Sequence, residues 1–483
     1  MDSKDAASVQ LKMMQHTGRA PPSPHIFSCR RRCLQRPSFS NLLRPQRWSI
    51  GLESAMPKSF MTPQGAVPER VSLSKTQQRI LTDMADAIIA ETLQTNEMFV
   101  SNGRQLPNDQ WKHVKSKEKV HVYRSRHSKG SFKPRGQSQD EKDPSRPRLL
   151  SLSAMERHER ENSGRPYVYD DEASAALEQK DSVNTHSSSS ADGSFSLADD
   201  CVLSKVKPSH VPLVIATGVI DGTVEDVAFG AFANTRKSWI TRNSYVHNDV
   251  FDDRKVLATL QLPSEEDPFR SVTIKWSTGN YGAFTTRRDF LYVESMGMAF
   301  DSDGEKIFYN LIHSIELDDC PPLDKRHNII RVQMSTCYIA RQVKDNSVEM
   351  FCRGFVDPRG EMMESYGILM LAHNVSACSG YVECSNLKKL SWMVRRSDTA
   401  SPLTGTDCSV CHKSLKKLGL LQSPSGCTIC RCLTCNKCSV QKKLTIDVTR
   451  EILQKSFTFC LSCVIEAKEL SAWELAAAAV RRS

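Results

Sequence analysis

Residues 427–438 read Cys427-Thr428-Ile429-Cys430-Arg431-Cys432-Leu433-Thr434-Cys435-Asn436-Lys437-Cys438. Two CxxC pairs stand four residues apart inside a longer series that opens with Cys408/Cys411 and closes with Cys460/Cys463. Two intervening residues let both sulfurs of a pair turn onto one metal ion. Eight thiols at this spacing supply two complete tetrahedral zinc sites. Segment 404–470 holds too little apolar sequence for a real core, so metal ligation must supply most of its folding free energy. Pairs two and three lie too close together to share a metal comfortably. The competing chemistry is a disulfide knot, against which stands the start of the chain, Met1-Asp2-Ser3-Lys4-Asp5, with no apolar leader toward an oxidising compartment.

The full pattern, CxxC-x15-CxxC-x4-CxxC-x21-CxxC, resembles the FYVE zinc finger most closely, above all in the four-residue gap before the third pair. The usual RING and PHD sets include a histidine, which this set lacks. The resemblance implies an interleaved cross-brace with two zinc ions. Cys408, Cys411, Cys435 and Cys438 would hold one, Cys427, Cys430, Cys460 and Cys463 the other, with Cys432 left over. FYVE fingers read phosphatidylinositol 3-phosphate with a basic, histidine-rich motif around the third cysteine. Here that stretch is Ser423, Pro424, Ser425, Gly426, Cys427 and Thr428, and Thr458 stands where a second cation is expected. The zinc scaffold is therefore FYVE-like without the phosphate-reading residues. Between the first two pairs, where such fingers carry a membrane-inserting turret, lie Lys416, Lys417, Leu418, Leu420 and Leu421. These are candidates for contact with an anionic membrane, each lysine contributing about 1 kcal/mol near the surface. The alternative is that the leucines pack onto the finger's own small core.

At 483 residues the chain has room for about two or three domains. Its net charge of +10 favours anionic partners, either a membrane surface or nucleic acid. No basic stripe is interleaved with aromatics, so nucleic acid is not expected. No run approaches the ~18 consecutive apolar residues of a membrane-spanning helix. The expectation is a soluble cytoplasmic protein, with peripheral attachment to endomembranes as an option. Residues 1–70 carry Arg30, Arg31, Arg32, Arg36, Arg44 and Arg47 and read as a disordered basic tail. An organellar presequence is the alternative, and Asp2 and Asp5 sit badly with it.

Residues 73–395 read as one α+β domain. From Leu73 to Phe99, Ile80, Met84, Ala87, Ile88 and Leu93 recur at helical spacing, with Ser74 and Gln77 forming a capping-box pattern. Two short strands follow around Trp111–Val114 and Val120–Tyr123. Residues 125–205 then turn polar and serine-rich, including Ser187–Ser190, and read as a disordered insertion. Strand signals resume over Val211–Val219, Lys255–Leu262, Val272–Trp276, Asp289–Ser295, Glu305–Ile315, Ile329–Ala340 and Ser347–Phe355. Thr223 caps a helix expected to reach Asn234. A last amphipathic helix is expected over Ala372–Val394, with Val375, Cys378, Val382, Leu387, Leu390 and Val394 as its stripe. Residues 471–483 form a helical tail.

An opening helix, an antiparallel sheet and a long closing helix make a helix-grip layout. Trp111-Lys112 with Val120-His121-Val122-Tyr123 looks like the opening strands of a START lipid-binding domain. Gly218-Val219-Ile220-Asp221 running into Val224-Glu225-Asp226-Val227 is similar to its strand-to-helix passage. Thr273-Ile274-Lys275-Trp276 and Arg288-Asp289-Phe290-Leu291-Tyr292 resemble its central strand pair. The resemblance covers residues 73–395 and implies an apolar tunnel for one lipid, with the closing helix as gate. Arg288 and Asp289 are the polar candidates for orienting a headgroup, or else a structural ion pair. The resulting expectation is a non-enzymatic lipid-binding or lipid-sensing protein whose finger docks on membranes or protein partners. A protein-interaction scaffold without a lipid and, further off, a RING-type ubiquitin ligase are the alternatives. His313, His327 and His373 are isolated, and no nucleophile–base constellation stands out. Cys320, Cys337, Cys352 and Cys378 read as buried small hydrophobes.

Overall fold

The computed structural model describes residues 62, 65–117, 119–126, 151–161, 202–246, 251–281, 285–398, 402–415, 425–449 and 452–482. The basic tail up to residue 61, most of the expected insertion, and Lys416, Lys417, Leu418, Leu420 and Leu421 lie outside the described residues.

Helix α1 spans Lys75–Ser101, and Ser74 closes the capping box that the sequence announces: its hydroxyl accepts from the Gln77 amide while the Gln77 side chain accepts from the Ser74 amide. The strands β1 (Trp111–Lys117), β2 (Val120–Ser125), β3 (Val214–Asp221), β4 (Phe251–Gln261), β5 (Ser271–Gly279), β6 (Arg287–Phe300), β7 (Lys306–Ser314), β8 (Ile329–Arg331), β9 (Gln333–Lys344) and β10 (Ser347–Asp357) form one ten-stranded sheet. Its order is β1-β2-β3-β10-β9-β7-β6-β5-β4, antiparallel throughout, with β8 adding a short parallel pairing to β6. The expected strand over 329–340 is thus two, divided at Val332, whose amide turns to the Asp289 carbonyl.

Helices close both faces of the sheet, so its central strands are buried on both sides. On the outer face α1 packs Ala85, Ile88, Ile89 and Phe99 against Ile307, Leu311 and Ile339, while Ile80 and Leu81 meet Ile274, Trp276 and Leu291. Within the stretch expected to be disordered, helix α2 (Leu152–Glu161) adds Leu152 and Met155 to this layer, and Arg79 pairs with Glu159. The short α3 (Val202–Val206) contributes Leu203 and Val206. A scatter of apolar residues in a polar stretch was enough to dock a short amphipathic helix.

The inner face is covered by α4 (Val224–Ala231), α5 (Arg236–Val246) and α7 (Glu364–Cys378), the single turn α6 (Asp324–His327) lying elsewhere in the chain. The Thr223 hydroxyl caps α4 by accepting from the Asp226 amide at 3.1 Å. The closing helix is not one piece over 372–394 as its stripe predicts. It starts earlier, at Glu364, breaks at Ser379–Gly380 and resumes as α8 (Tyr381–Arg396). The stripe serves two partners: Val375, Cys378 and, beyond the break, Val382 pack into the sheet's inner layer, while Leu387 and Leu390 turn to the segment of paired cysteines. That segment comprises the short pair β11 (Ser425–Gly426) and β12 (Leu433–Thr434), the hairpin β13 (Ser439–Asp447) with β14 (Leu453–Cys460), and α9 (Leu461–Glu469). Helix α10 (Ala472–Val480) then returns to the large domain. Among the described residues no helix is long and apolar enough to cross a membrane.

Candidate functional site

The eight paired cysteines gather into two groups, Cys408, Cys411, Cys435 and Cys438, and Cys427, Cys430, Cys460 and Cys463, with the sulfurs of each group within 4.8 Å of one another. Local turns make this possible. In the first two pairs the residue after the second cysteine, His412 or Arg431, takes a left-handed conformation with φ of 58° or 61°. Its amide then bonds back to the carbonyl of the first cysteine, at 2.8 Å from His412 to Cys408 and 3.0 Å from Arg431 to Cys427. The fourth pair opens α9, with Cys460 as its cap. The donor set fits a tetrahedral ion: Zn–S bonds of about 2.3 Å imply sulfur–sulfur edges of about 3.8 Å. The spacings of Cys411 to Cys435 and of Cys430 to Cys460 are both 3.8 Å. Cys432 stands outside both groups, its thiol directed at the Cys430 carbonyl. Thr428 and Thr458, at the positions where the FYVE pattern carries cations, lie side by side, the Thr428 amide bonding to the Thr458 carbonyl at 2.8 Å.

A second constellation lies on the inner face of the sheet. Strand β5 alternates Val272, Ile274 and Trp276 toward α1 with Ser271, Thr273, Lys275 and Ser277 toward the inner layer, and every one of these is buried. Glu294 on β6 lies opposite Thr273, one step diagonal from Lys275. The Lys275 ammonium pairs with the Glu294 carboxylate and also donates to the Ala233 carbonyl at 2.6 Å. Arg242 of α5 reaches the same carboxylate at 3.4 Å and the Ala231 carbonyl at 3.0 Å. Lys275 further sits 5.0 Å from the centre of the Trp239 ring. Burial pulls the Lys275 pKa down to about 8 despite Glu294. Burial opposes the Glu294 charge too, but the two cations outweigh it and hold its pKa below the usual carboxylate value. Near this triad, Ser271 Oγ, Ser277 Oγ and Asn310 Oδ1 are buried with no hydrogen-bond partner among the described residues. Ser271 and Asn310 flank Met296 on one rung of the sheet. The part of the inner face under α7 is apolar: Val214, Ala216, Val348 and Met350 lie beneath Ile368, Leu371 and Val375.

Arg288 and Asp289 do not occupy this constellation, and they do not pair with each other, because neighbours on a strand point to opposite faces. Arg288 is spent on the loop ahead of α7, donating to the Pro358 and Arg359 carbonyls at 3.0 Å each and pairing with Glu361 at 3.1 Å. Asp289, on the outer face, accepts from Trp276 Nε1 at 2.9 Å and from Arg331 at 2.7 Å. The buried charged cluster of the inner face is formed instead by Lys275, Glu294 and Arg242, none of which the sequence alone singles out. The available signal was a lysine and a glutamate inside otherwise uninterrupted strand runs. Cys320, Cys337, Cys352 and Cys378 are buried, and burial raises the pKa of each thiol, which leaves them unreactive packing residues. His313 is buried beside the Ser335 hydroxyl at 2.9 Å, and burial lowers its pKa to about 4.

Among solved structures, the chain is similar to human STARD10, at 9% identity over 62% of this chain and 82% of that one, with a TM-score of 0.32. It is also similar to the lipid transfer and protein localization domain of human StarD13, at 10% identity over 61% of this chain and 95% of that one, TM-score 0.31. A third likeness is to human StAR-related lipid transfer protein 5, at 11% identity over 64% and 97%, TM-score 0.32. No family model matches the chain, and no curated protein matches it.

Proposed function

We propose that this protein is a non-enzymatic binder of a lipid-like amphiphile, taken up between the sheet and its inner helices, with a finger folded around two zinc ions. The observation that carries the reading is the division of the inner face into a polar side on β5 and an apolar side under α7. A domain that only fills its own core gains nothing by turning Ser271 and Ser277 inward, because a buried polar group without a partner costs about 1–3 kcal/mol. A guest with one polar end and an apolar body fits that division: hydroxyl or charged groups would meet Ser271, Lys275, Ser277 and Asn310, and a tail would lie along Val214, Val348 and Met350. Such a guest gains about 25 cal/mol per Å² of apolar surface removed from water, before the costs of ordering. The inner layer is buried beneath α4, α5 and α7, so admission requires an inner helix to lift. The sequence resemblance of residues 73–395 to START lipid-binding domains supports the same reading. All-thiolate tetrahedra of this size suit zinc, and the missing cations leave the finger without the charge-assisted bonds that would single out a 3-phosphate.

The competing reading, a scaffold whose interior is filled by its own side chains, is favoured by the large apolar cluster already buried there. Native mass spectrometry of the full chain, with solvent extraction of whatever copurifies, separates the two. One amphiphile per chain, or displacement of a labelled fatty acid, phospholipid or sterol probe with saturation, supports binding. A chain that carries no such mass and takes up none of the three probes at micromolar concentration is a scaffold.

A further inference from the structure

The finger is built into the large domain from both of its ends. Ahead of it, α8 lies so close to α4 that a Cβ on Gly230 would come within 1.9 Å of the Tyr381 carbonyl oxygen. Further along the same helix, Leu387, Leu390 and Met393 share one buried cluster with Leu444, Phe459 and Ala467 of the finger and with Tyr245 of α5. Two lysines make α8 the rivet. Lys388 donates to the carbonyls of Phe229, Gly230 and Phe232 at the end of α4, at 2.6, 3.2 and 3.1 Å. Lys389 is 1% exposed and joins Asp226 of α4, at 2.7 Å, to the Lys468 carbonyl of α9, at 3.3 Å. The β13 hairpin adds Lys442 to Glu383 at 2.6 Å and the Thr445 amide to the Tyr245 hydroxyl at 2.9 Å.

Beyond the finger the chain turns back onto the same layer. Trp473 of α10 stands edge-on to Phe269 at 5.5 Å, with the Lys306 ammonium 4.3 Å from its ring centre. Ala476 joins the inner cluster itself, and Arg481 pairs with Glu265 at 2.9 Å. Helices α8 and α10 therefore both lie against α4, and the finger is the covalent and packed connection between them.

We infer that metal occupancy of the two four-cysteine groups governs closure of the sheet's inner layer. With both groups filled, the finger holds α8 and α10 against α4. With the metals removed, Leu444, Phe459 and Ala467 leave the shared cluster, because a segment with so small a core owes its fold to the metal. The C-terminal half of α8 loses its cover and α10 its tether, so the inner layer opens while the outer face, packed on α1 and α2, stays closed. The device responds to metal supply or to oxidation of the thiols, and it operates whatever molecule the inner layer takes.

Hydrogen–deuterium exchange on the full chain tests this, comparing zinc-loaded protein, chelated protein and a seam variant, Leu390→Ala with Leu444→Ala, shown by metal analysis to keep two zinc ions. Chelation should raise exchange about tenfold or more in residues 224–231, 381–396 and 472–480 as well as in the finger, with α1 and β9 changed by less than about twofold. The seam variant should raise exchange in α4 and α10 with both metals still bound. A rise confined to residues 402–470 on chelation overturns the inference. Exposure of the whole chain including α1, or a seam variant whose α4 and α10 stay fully protected, does the same.

Discussion

Replacing Glu294 by glutamine removes the carboxylate that serves both Lys275 and Arg242 while changing the volume hardly at all. Lys275 has 0% exposure, Glu294 2% and Arg242 7%, so water screens none of the three appreciably. Removing one partner from a buried ion pair costs about 3–5 kcal/mol, because the remaining charge is left uncompensated. The low end of that range applies here, since Lys275, already drawn down to about 8, can release its proton, whereas an arginine cannot. For a domain of this kind a loss of about 3 kcal/mol lowers Tm by roughly 6–12 °C. Lys275→Met should cost less than Glu294→Gln, because Glu294 keeps Arg242 and the methionine fills most of the lysine's volume. Equilibrium urea unfolding of zinc-loaded protein, followed by the fluorescence of the buried Trp239 and Trp276, measures both. A Glu294→Gln protein within about 1 kcal/mol of the parent, or a Lys275→Met protein less stable than Glu294→Gln, would show that the triad is hydrated or replaceable and that the electrostatic account of the inner face is wrong.

Further outcomes follow from other parts of the structure. Cys427→Ser should lose a metal ion and the finger's fold, whereas Cys432→Ser should still return two metal ions per chain by elemental analysis. His313, held near pKa 4 by burial against about 6.5 unfolded, binds a proton more readily in the unfolded chain, so its contribution is complete above pH 6.5 and is lost as pH falls toward 4, by about 3 kcal/mol at most; a His313→Gln protein should lack that part of the acid dependence in pH-stepped denaturant melts. Met155→Ala should cost about 2–3 kcal/mol through its packing in the outer layer, while deletion of the polar residues 162–201 should leave the melting temperature within about 2 °C. Melting curves that reverse this order would make the polar stretch structural.

By itself the sequence determined what depends on neighbours in the chain. The CxxC spacings, the Ser74–Gln77 box, the Thr223 cap and the alternation of Val120 with Val122 all act over a few residues, where backbone geometry leaves little choice. The strand-rich α+β layout between α1 and a closing helix was legible for the same reason. A strand's period of two tells which residues share a face, but not which face receives the helices or which partners wait there. So Arg288 and Asp289, the visible charged pair, proved to serve a loop and an outer-face network, while Lys275, Glu294 and Arg242 met only because β5, β6 and α5 were brought together. The stripe on the closing helix is real, yet Val375, Cys378 and Val382 bury against the sheet's inner layer while Leu387 and Leu390 bury against the finger. Only the tertiary structure decided that the tail beyond the finger would return to Phe269, since a short alanine-rich helix with one tryptophan carries no record of the surface it will cover.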